Sequence, residues 1–238
     1  MRVFGDTPVL CGHRGSGRGD EENTLPWFRA AVAAGLRWVE VDARATADGV
    51  LVARHDPELG DGRPIAALTA AETDETGLMR VADLFAELPT EVSIDVEVKT
   101  ALEDALRPRE RTTAALAGDL VAAHDRHVLV TSFDPAALVI VRERAPTVPL
   151  GLLTWIRFPL RKAIPAARHL GLDVVAAHVE SFAPDAAPAV GIAHEVGLEV
   201  AAWCPLPEER EALLAAGVDC LVIDGVTAGA VPAARRSA

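Results

Sequence analysis

The sequence has no tyrosine and only three cysteines among its 238 residues. Cys11, Cys204 and Cys220 are odd in number, lie far apart and stand in apolar, strand-like segments. This pattern argues against both a disulfide framework and a cysteine-rich zinc cluster. We therefore expect three buried thiols, because a free cysteine is usually buried.

Long apolar runs and positive charge are also lacking. No run of eighteen apolar residues occurs, and the first residues lack the basic and then apolar pattern of a secretory signal, so we expect a soluble, cytoplasmic protein without stable membrane insertion. Lys and Arg number 23 against 35 Asp and Glu, which gives a formal net charge of −12. Nucleic acid or an anionic membrane surface would require a basic patch, so neither is expected as a partner. A small anionic substrate would need local cations or a metal.

Hydrophobic residues make up 50% of the chain, which is enough to bury one large core. We expect a single domain over residues 1–238. Short β-branched segments recur, and each precedes an Ala- or Leu-rich stretch of helical period, which is the pattern of repeated βα units. Eight strands are predicted, at 8–12, 37–43, 92–99, 127–133, 148–154, 173–179, 198–203 and 219–225. Eight parallel strands close into an α/β TIM barrel, the (β/α)8 fold.

One segment breaks the alternation of strands and helices. Asp48-Gly49 stands between two strand-like arms, and this dipeptide is a strong hairpin signal. We expect a small hairpin insertion after the second strand that returns His55 to the mouth of the barrel.

Charged and apolar residues alternate on two of the predicted strands. Glu40 and Asp42 alternate with valines, and Asp95, Glu97 and Lys99 do the same in "SIDVEVK". If the apolar residues face the helices, the five charged side chains point into the barrel near its C-terminal mouth, where active sites of this fold lie.

Such charges must pair with one another or hold a cation, because burying them alone is costly. Glu40, Asp42 and Glu97 offer only oxygen, which suits Mg²⁺ or Ca²⁺ better than zinc. Asp95 lies one layer deeper than Glu97, and we expect it to support the ligands without contacting the ion. A buried salt-bridge network without metal is the alternative.

The stretch "LCGHRGSGRGDEENT" at residues 10–24 ends the first strand at the same mouth. Arg14 and Lys99 are the cations that a phosphate would need beside a metal. His13 and His55 arrive from two different loops and can supply a general acid and a general base near neutral pH.

These residues resemble those of the glycerophosphodiester phosphodiesterase family. The resemblance rests on five motifs in this order: "HRG" (13–15), "EENT" (21–24), "EVD" (40–42), "RHD" (54–56) and "DVEVK" (95–99). It implies a TIM barrel with a metal at its mouth and a metal-dependent hydrolysis that releases glycerol 3-phosphate and an alcohol. The match covers the first hundred residues well and the later strands more loosely.

The resemblance also implies roles for individual residues. His13 and His55 match the two catalytic histidines, and Arg14 and Lys99 match the phosphate-binding cations. Glu40, Asp42 and Glu97 match the metal ligands, and Glu22 and Asn23 match the motif that braces the first loop. Trp203 is a candidate for the pocket wall because it lies at a strand end. There it either packs against the substrate's alcohol portion or fills the barrel interior as a structural residue.

The later strands depart from the family pattern at "WCPL" (203–206) and "VIDGV" (222–226). We therefore expect the core chemistry to be kept and the pocket for the alcohol portion to be altered. Two alternatives stay open. One is a lysophospholipase D-like activity, which an apolar rim around the mouth would favour. The other is a catalytically silent barrel that binds phosphodiesters.

Overall fold

The computed structural model describes residues 2–17, 19–183 and 186–225. Within these ranges nine strands form one sheet. Eight of them are parallel and close into a barrel in the order β1-β2-β4-β5-β6-β7-β8-β9, with β9 again beside β1. The predicted (β/α)8 TIM barrel is confirmed. The strands are β1 (Val9–Gly12), β2 (Trp38–Ala45), β3 (Leu51–Ala53), β4 (Ser93–Val98), β5 (Val128–Ser132), β6 (Leu150–Thr154), β7 (Val174–His178), β8 (Glu199–Trp203) and β9 (Cys220–Ile223).

Eight helices in the described ranges connect the strands. They are α1 (Leu25–Ala33), α2 (Ala70–Glu75), α3 (Val81–Glu87), α4 (Thr113–Ala122), α5 (Pro135–Arg144), α6 (Leu160–His169), α7 (Ala187–Glu195) and α8 (Pro207–Ala215). Their starts follow local signals: the Asp134 side chain caps α5 by accepting from the N–H of Ala136, and prolines stand in the first turns of α1, α5, α7 and α8. Among the described helices, none is both long and apolar enough to cross a membrane.

The extra strand β3 and the end of β2 form the predicted hairpin. It pairs antiparallel with the end of β2, from Ala43 opposite Ala53 to Ala45 opposite Leu51. The turn closes through the N–H of Thr46, which donates to the carbonyl of Val50 at 2.9 Å. This pairing returns the chain to the barrel mouth, where His55 follows β3.

Strand alternation separates two layers of the core. Val39, Val41 and Ile94 pack outward against the helices, in the larger apolar cluster. A second cluster fills the barrel interior, and it includes Cys11, Trp38 and Cys220. The thiols of Cys11 and Cys220 are buried, as predicted. The polar residues of β2 and β4 share the interior side with this second cluster and lie toward the mouth.

Candidate active site

The loop after β1 turns sharply at Arg14 and Gly15, whose φ angles are 51° and 76°. A Cβ on Gly15 would lie 3.0 Å from the backbone nitrogen of Phe28, so this close approach requires glycine. The turn aims the backbone N–H of Arg14 at Glu40 Oε2, which accepts it at 2.9 Å. The loop thereby delivers His13 and Arg14 to the end of β2.

Glu40, Asp42 and Glu97 form the carboxylate cluster. The pairing of β2 with β4 places Asp42 opposite Glu97 and Glu40 opposite Asp95. One carboxylate oxygen from each member lies within 4.8 Å of the others, and all three side chains are buried. Glu40 starts one layer deeper than Asp42, and its longer side chain reaches the same level.

Two cations meet this cluster. Lys99 Nζ lies 3.0 Å from Asp42 Oδ1 and also pairs with Glu97. Arg14 Nε lies 3.1 Å from Asp42 Oδ2, and Arg14 Nη1 donates to Glu22 Oε2 at 2.9 Å. Burial opposes ionisation of Asp42, but Lys99 and Arg14 outweigh it and hold the pKa of this carboxyl below its ordinary value.

Positive charge is still lacking beside the Glu40 carboxylate. Its Oε1 atom is buried and accepts no hydrogen bond from any residue of the described ranges. Burial and the negative charge of Asp42 raise the pKa of Glu40 well above its ordinary value. A cation beside Oε1 would correct both, and the oxygen-only donors fit a hard divalent ion such as Mg²⁺ or Ca²⁺.

Asn23 binds a member of the carboxylate cluster, and Asp95 lies beside the cluster. Asn23 Nδ2 donates to Asp42 Oδ2 at 2.8 Å, and Asn23 Oδ1 accepts from the backbone N–H of Asp42 at 3.1 Å. Asp95 accepts a hydrogen bond from Thr131 Oγ1 at 2.8 Å. Burial raises the pKa of Asp95 to about 8, although the bond from Thr131 acts in the opposite direction.

His13 lies between the carboxylate cluster and a second group of side chains. Its Nε2 is 3.9 Å from Glu40 Oε2, whereas its Nδ1 is 2.7 Å from Asp224 Oδ1 and 3.8 Å from Cys204 Sγ. Burial opposes a charge on His13, but the hydrogen bonds with Asp224 and Cys204 and the charge of Glu40 raise its pKa well above the ordinary value. We call His13, Cys204 and Asp224 the mixed cluster.

His55 faces the same space in the opposite electrostatic situation. Its backbone carbonyl accepts a hydrogen bond from Arg44 Nε at 2.9 Å, and its Nδ1 lies 2.8 Å from Asp56 Oδ1. Burial and the positive charge of Lys99 lower the pKa of His55 below its ordinary value. The lowered pKa favours the neutral form of His55, and the raised pKa favours the protonated form of His13.

Both histidines line a cavity of about 470 Å³ at the barrel mouth. One wall of the cavity is polar. The other is apolar and holds Phe133, Trp155 and Trp203, in which the rings of Phe133 and Trp155 stack with centroids 4.4 Å apart. Trp203 lies 6.0 Å from Phe133 and 4.4 Å from the ring of His178. Of the residues predicted from the sequence, the cavity is lined by His13, Arg14, Glu40, His55, Asp95, Glu97, Lys99 and Trp203.

Sequence reasoning missed three residues of this site. Asp224 and Cys204 contact His13, and Arg44 holds the backbone of His55. The expectation that Cys204 is a buried thiol is wrong, because Cys204 follows the end of β8 and is only half-buried. Their position directly after a predicted or observed strand end is the signal that could have identified Asp224 and Cys204. Val226, the last residue of the "VIDGV" departure, lies outside the described residues.

The chain is similar to known phosphodiesterases in sequence and in fold. A curated relative, probable glycerophosphodiester phosphodiesterase 2 of Mycobacterium tuberculosis, is 29% identical over 229 residues, which span 85% of this chain and 81% of the relative. A phosphodiesterase from Oleispira antarctica, solved in complex with the product sn-glycerol-3-phosphate, has a TM-score of 0.80 at 22% identity and covers 94% of this chain and 96% of its own.

A glycerophosphodiester phosphodiesterase from Thermotoga maritima has the same fold, with a TM-score of 0.75, 22% identity and coverage of 92% of this chain and 96% of its own. The model of the family described as "Glycerophosphoryl diester phosphodiesterase family" matches residues 13–228, which is most of the sequence. The chain therefore belongs to the glycerophosphoryl diester phosphodiesterase family, and it is an enzyme of that class.

Proposed function

We propose that this enzyme hydrolyses glycerophosphodiesters to glycerol 3-phosphate and an alcohol in a metal-dependent reaction. The observation that carries the proposal is the meeting of His13, His55 and the carboxylate cluster around one cavity at the barrel mouth. The product bound to the Oleispira antarctica phosphodiesterase supports the same product here.

The polar wall suits a phosphodiester. Arg14 and Lys99 bring two positive charges to the place where an anionic phosphate would lie beside the carboxylates. Glu40, Asp42 and Glu97 would hold Mg²⁺ or Ca²⁺, and such an ion would supply positive charge beside the developing negative charge of the phosphoryl group. Glu22 and Asn23 keep Arg14 and Asp42 in position through their hydrogen bonds.

The two histidines divide the proton transfers between them. Neutral His55 accepts a proton from the attacking water as the new P–O bond forms. Because Asp224 occupies Nδ1 of His13, the proton on Nε2 is the one donated to the leaving alcohol oxygen as the old P–O bond breaks. After one turnover His55 holds the gained proton and His13 is neutral, and exchange with water restores both.

A specific surface feature favours a second candidate substrate. Large apolar side chains stand exposed in the connections that follow β4, β6 and β8, on the face that carries the mouth. This apolar rim consists of Leu102, Leu106, Trp155, Ile156 and Leu206, which are 85%, 88%, 67%, 56% and 56% exposed. Such a rim suits a lysophospholipid, whose single acyl chain would lie across it while its phosphodiester enters the cavity.

One assay tests both candidates. Purified protein is incubated with glycerophosphocholine or with a lysophosphatidylcholine, in Mg²⁺, in Ca²⁺ and in EDTA, and release of glycerol 3-phosphate or lysophosphatidic acid is measured. Metal-dependent release from glycerophosphocholine is the expected result. Turnover of the acylated substrate alone would replace the first candidate by the second. No turnover of either substrate by metal-loaded protein would contradict the proposed function and favour a silent binding barrel. The cytoplasmic location stays a prediction from the sequence.

A further inference from the structure

We propose that the mixed cluster is a zinc-binding site, distinct from the carboxylate cluster, through which zinc inhibits the enzyme. Its three side chains come from three adjacent strands of the barrel: His13 follows β1, Asp224 follows β9 and Cys204 follows β8. The binding site stands on its own geometry, whereas the inhibition rests on the proposed function of His13.

The strand register explains why these side chains meet. Gly12 pairs with Ile223, and Trp203 pairs with Val222, so β1, β9 and β8 end at nearly the same level. Cys204 then turns back over the strand ends with a φ of 55°, and its N–H donates to the carbonyl of Val222 at 3.0 Å. A left-handed conformation is uncommon for a residue other than glycine, and here it holds the thiol near the ring of His13.

The donor set has the chemistry of a zinc site. It offers an imidazole nitrogen, a thiol sulfur and a carboxylate oxygen, all within 4.8 Å of one another. Zinc prefers nitrogen and sulfur ligands in tetrahedral geometry, and three protein ligands leave a fourth position for water. Mg²⁺ and Ca²⁺ prefer oxygen alone, so the ions proposed for the carboxylate cluster are poor competitors here.

The distances require only a small adjustment. Nδ1 of His13 is 2.7 Å from Asp224 Oδ1 and 3.8 Å from Cys204 Sγ. Ligand atoms around a tetrahedral zinc lie roughly 3.3–3.7 Å apart, so the carboxylate would move outward by about half an ångström. The Asp224 side chain is 41% exposed, which leaves it room to move and gives zinc a route from solvent.

Zinc at this site would remove the proton donor of the proposed reaction. Binding through Nδ1 displaces the proton shared with Asp224, and binding through sulfur displaces the thiol proton of Cys204, so two protons are released to water. His13 is then a neutral, metal-bound imidazole. Its Nε2 proton is held more tightly than that of an imidazolium, and transfer to the leaving oxygen slows.

Cobalt serves as the spectroscopic probe for the site. The Mg²⁺-loaded, full-length protein is titrated with Co²⁺, and absorption from thiolate-to-cobalt charge transfer is followed. We expect a band that saturates at one equivalent and disappears when Zn²⁺ is added. Cys204→Ser and Cys204→Gly should lack the band, and glycine suits the left-handed φ at this position if serine disturbs the fold. Cys220→Ala is the matched control, because it removes a buried thiol of β9 and should keep the band. Absence of the band in the unmodified protein, or its persistence in both Cys204 variants, would overturn the site.

Inhibition is measured separately, as the Zn²⁺ concentration that halves turnover of glycerophosphocholine at saturating Mg²⁺. Each protein is compared with its own rate without zinc. We expect the value to rise at least about tenfold in Cys204→Gly and to stay unchanged in Cys220→Ala. Equal inhibition of all three proteins would show that zinc acts elsewhere. If the protein turns over no phosphodiester, the proposed function fails, while the cobalt spectrum still decides the metal site.

Discussion

The two clusters at the barrel mouth differ in how the fold builds them. The carboxylate cluster comes from alternate residues within β2 and β4, is fully buried and offers only oxygen. The mixed cluster comes from residues that follow β1, β8 and β9, is partly exposed and offers nitrogen, sulfur and oxygen. His13 touches both, with Nε2 toward Glu40 and Nδ1 toward Asp224.

This difference shows which positions at the mouth are fixed by the strand register and which are fixed by local turns. Side chains within a strand are fixed by the pleat, since a shift of one residue would turn every carboxylate toward the helices. Side chains after a strand depend on local turns, such as the left-handed turn at Cys204. A substitution at Cys204 or Asp224 therefore leaves the register of β2 and β4, which positions the carboxylate cluster, unchanged.

Loss of the carboxylate cluster should have the largest effect. EDTA should abolish turnover reversibly, and Asp42→Asn should abolish both turnover and binding of a divalent ion, because the change removes the charge at the centre of the cluster. Turnover and bound metal are measured together. Asp119→Asn, which changes an exposed carboxylate paired with Arg144, is the control and should behave as the unmodified protein. Full activity after exhaustive removal of metal would eliminate the proposed metal site.

Removal of either histidine should come next. His13→Ala and His55→Ala should each lower kcat at least roughly a hundredfold, which is the usual contribution of a general acid or base, with little change in KM. The thermal unfolding midpoints should change little. His169→Ala, at the exposed end of α6, is the matched control. Rates near that of the control in both variants would rule out the proposed proton transfers.

Asp224→Asn should show which histidine sets which limb of the pH profile. Asp224, Cys204 and Glu40 together raise the pKa of His13, and His13 must be protonated to act as the acid. Without the charge of Asp224 the pKa falls, so kcat/KM should begin to decline at a lower pH on the alkaline side. The acid limb, assigned to His55, should stay in place because the low pKa of His55 arises from burial and Lys99. The measurement is a pH profile of kcat/KM, and an unmoved alkaline limb would show that His13 is not the acid.

The smallest effect should come from the apolar rim. Leu102→Ser combined with Leu106→Ser should raise KM for a lysophospholipid several-fold, because each leucine would lose about 0.5 kcal/mol of apolar contact, a fraction of the value for full burial. KM for glycerophosphocholine should not change, since both leucines are exposed outside the cavity lining. Ile192→Ser on α7 removes another exposed apolar side chain, away from the rim, and is the control. Equal effects on both substrates would contradict a role for the rim in holding an acyl chain.

Much of the barrel could be predicted because strand periodicity is local. The alternation of Glu40 and Asp42 with valines predicted both the buried strand and the inward carboxylates, and the structure has both. Strand ends were predicted less well. The second strand extends to Ala45 instead of residue 43, because β3 pairs with residues 43–45 and prolongs the strand.

The mixed cluster could not be predicted in the same way. Asp224 and Cys204 lie 211 and 191 residues from His13, and only closure of the barrel brings the strand ends together. "WCPL" and "VIDGV" were interpreted as departures from a pattern, with consequences for the alcohol pocket. The structure places Cys204 and Asp224 of these segments beside a predicted catalytic histidine, and the altered alcohol pocket stays a prediction.

Asn23 links the first loop, residues 13–24, to β2. Its amide makes two hydrogen bonds with Asp42, one to the side chain and one from the backbone. A residue inserted into or removed from 13–24 would displace His13 and would also break both hydrogen bonds between Asn23 and Asp42, so this loop and β2 should be exchanged between homologues as one piece. Trp155 and Ile156, which are exposed at the rim, can be substituted without any change in that loop or in β2. The first loop and the rim are therefore open to separate engineering.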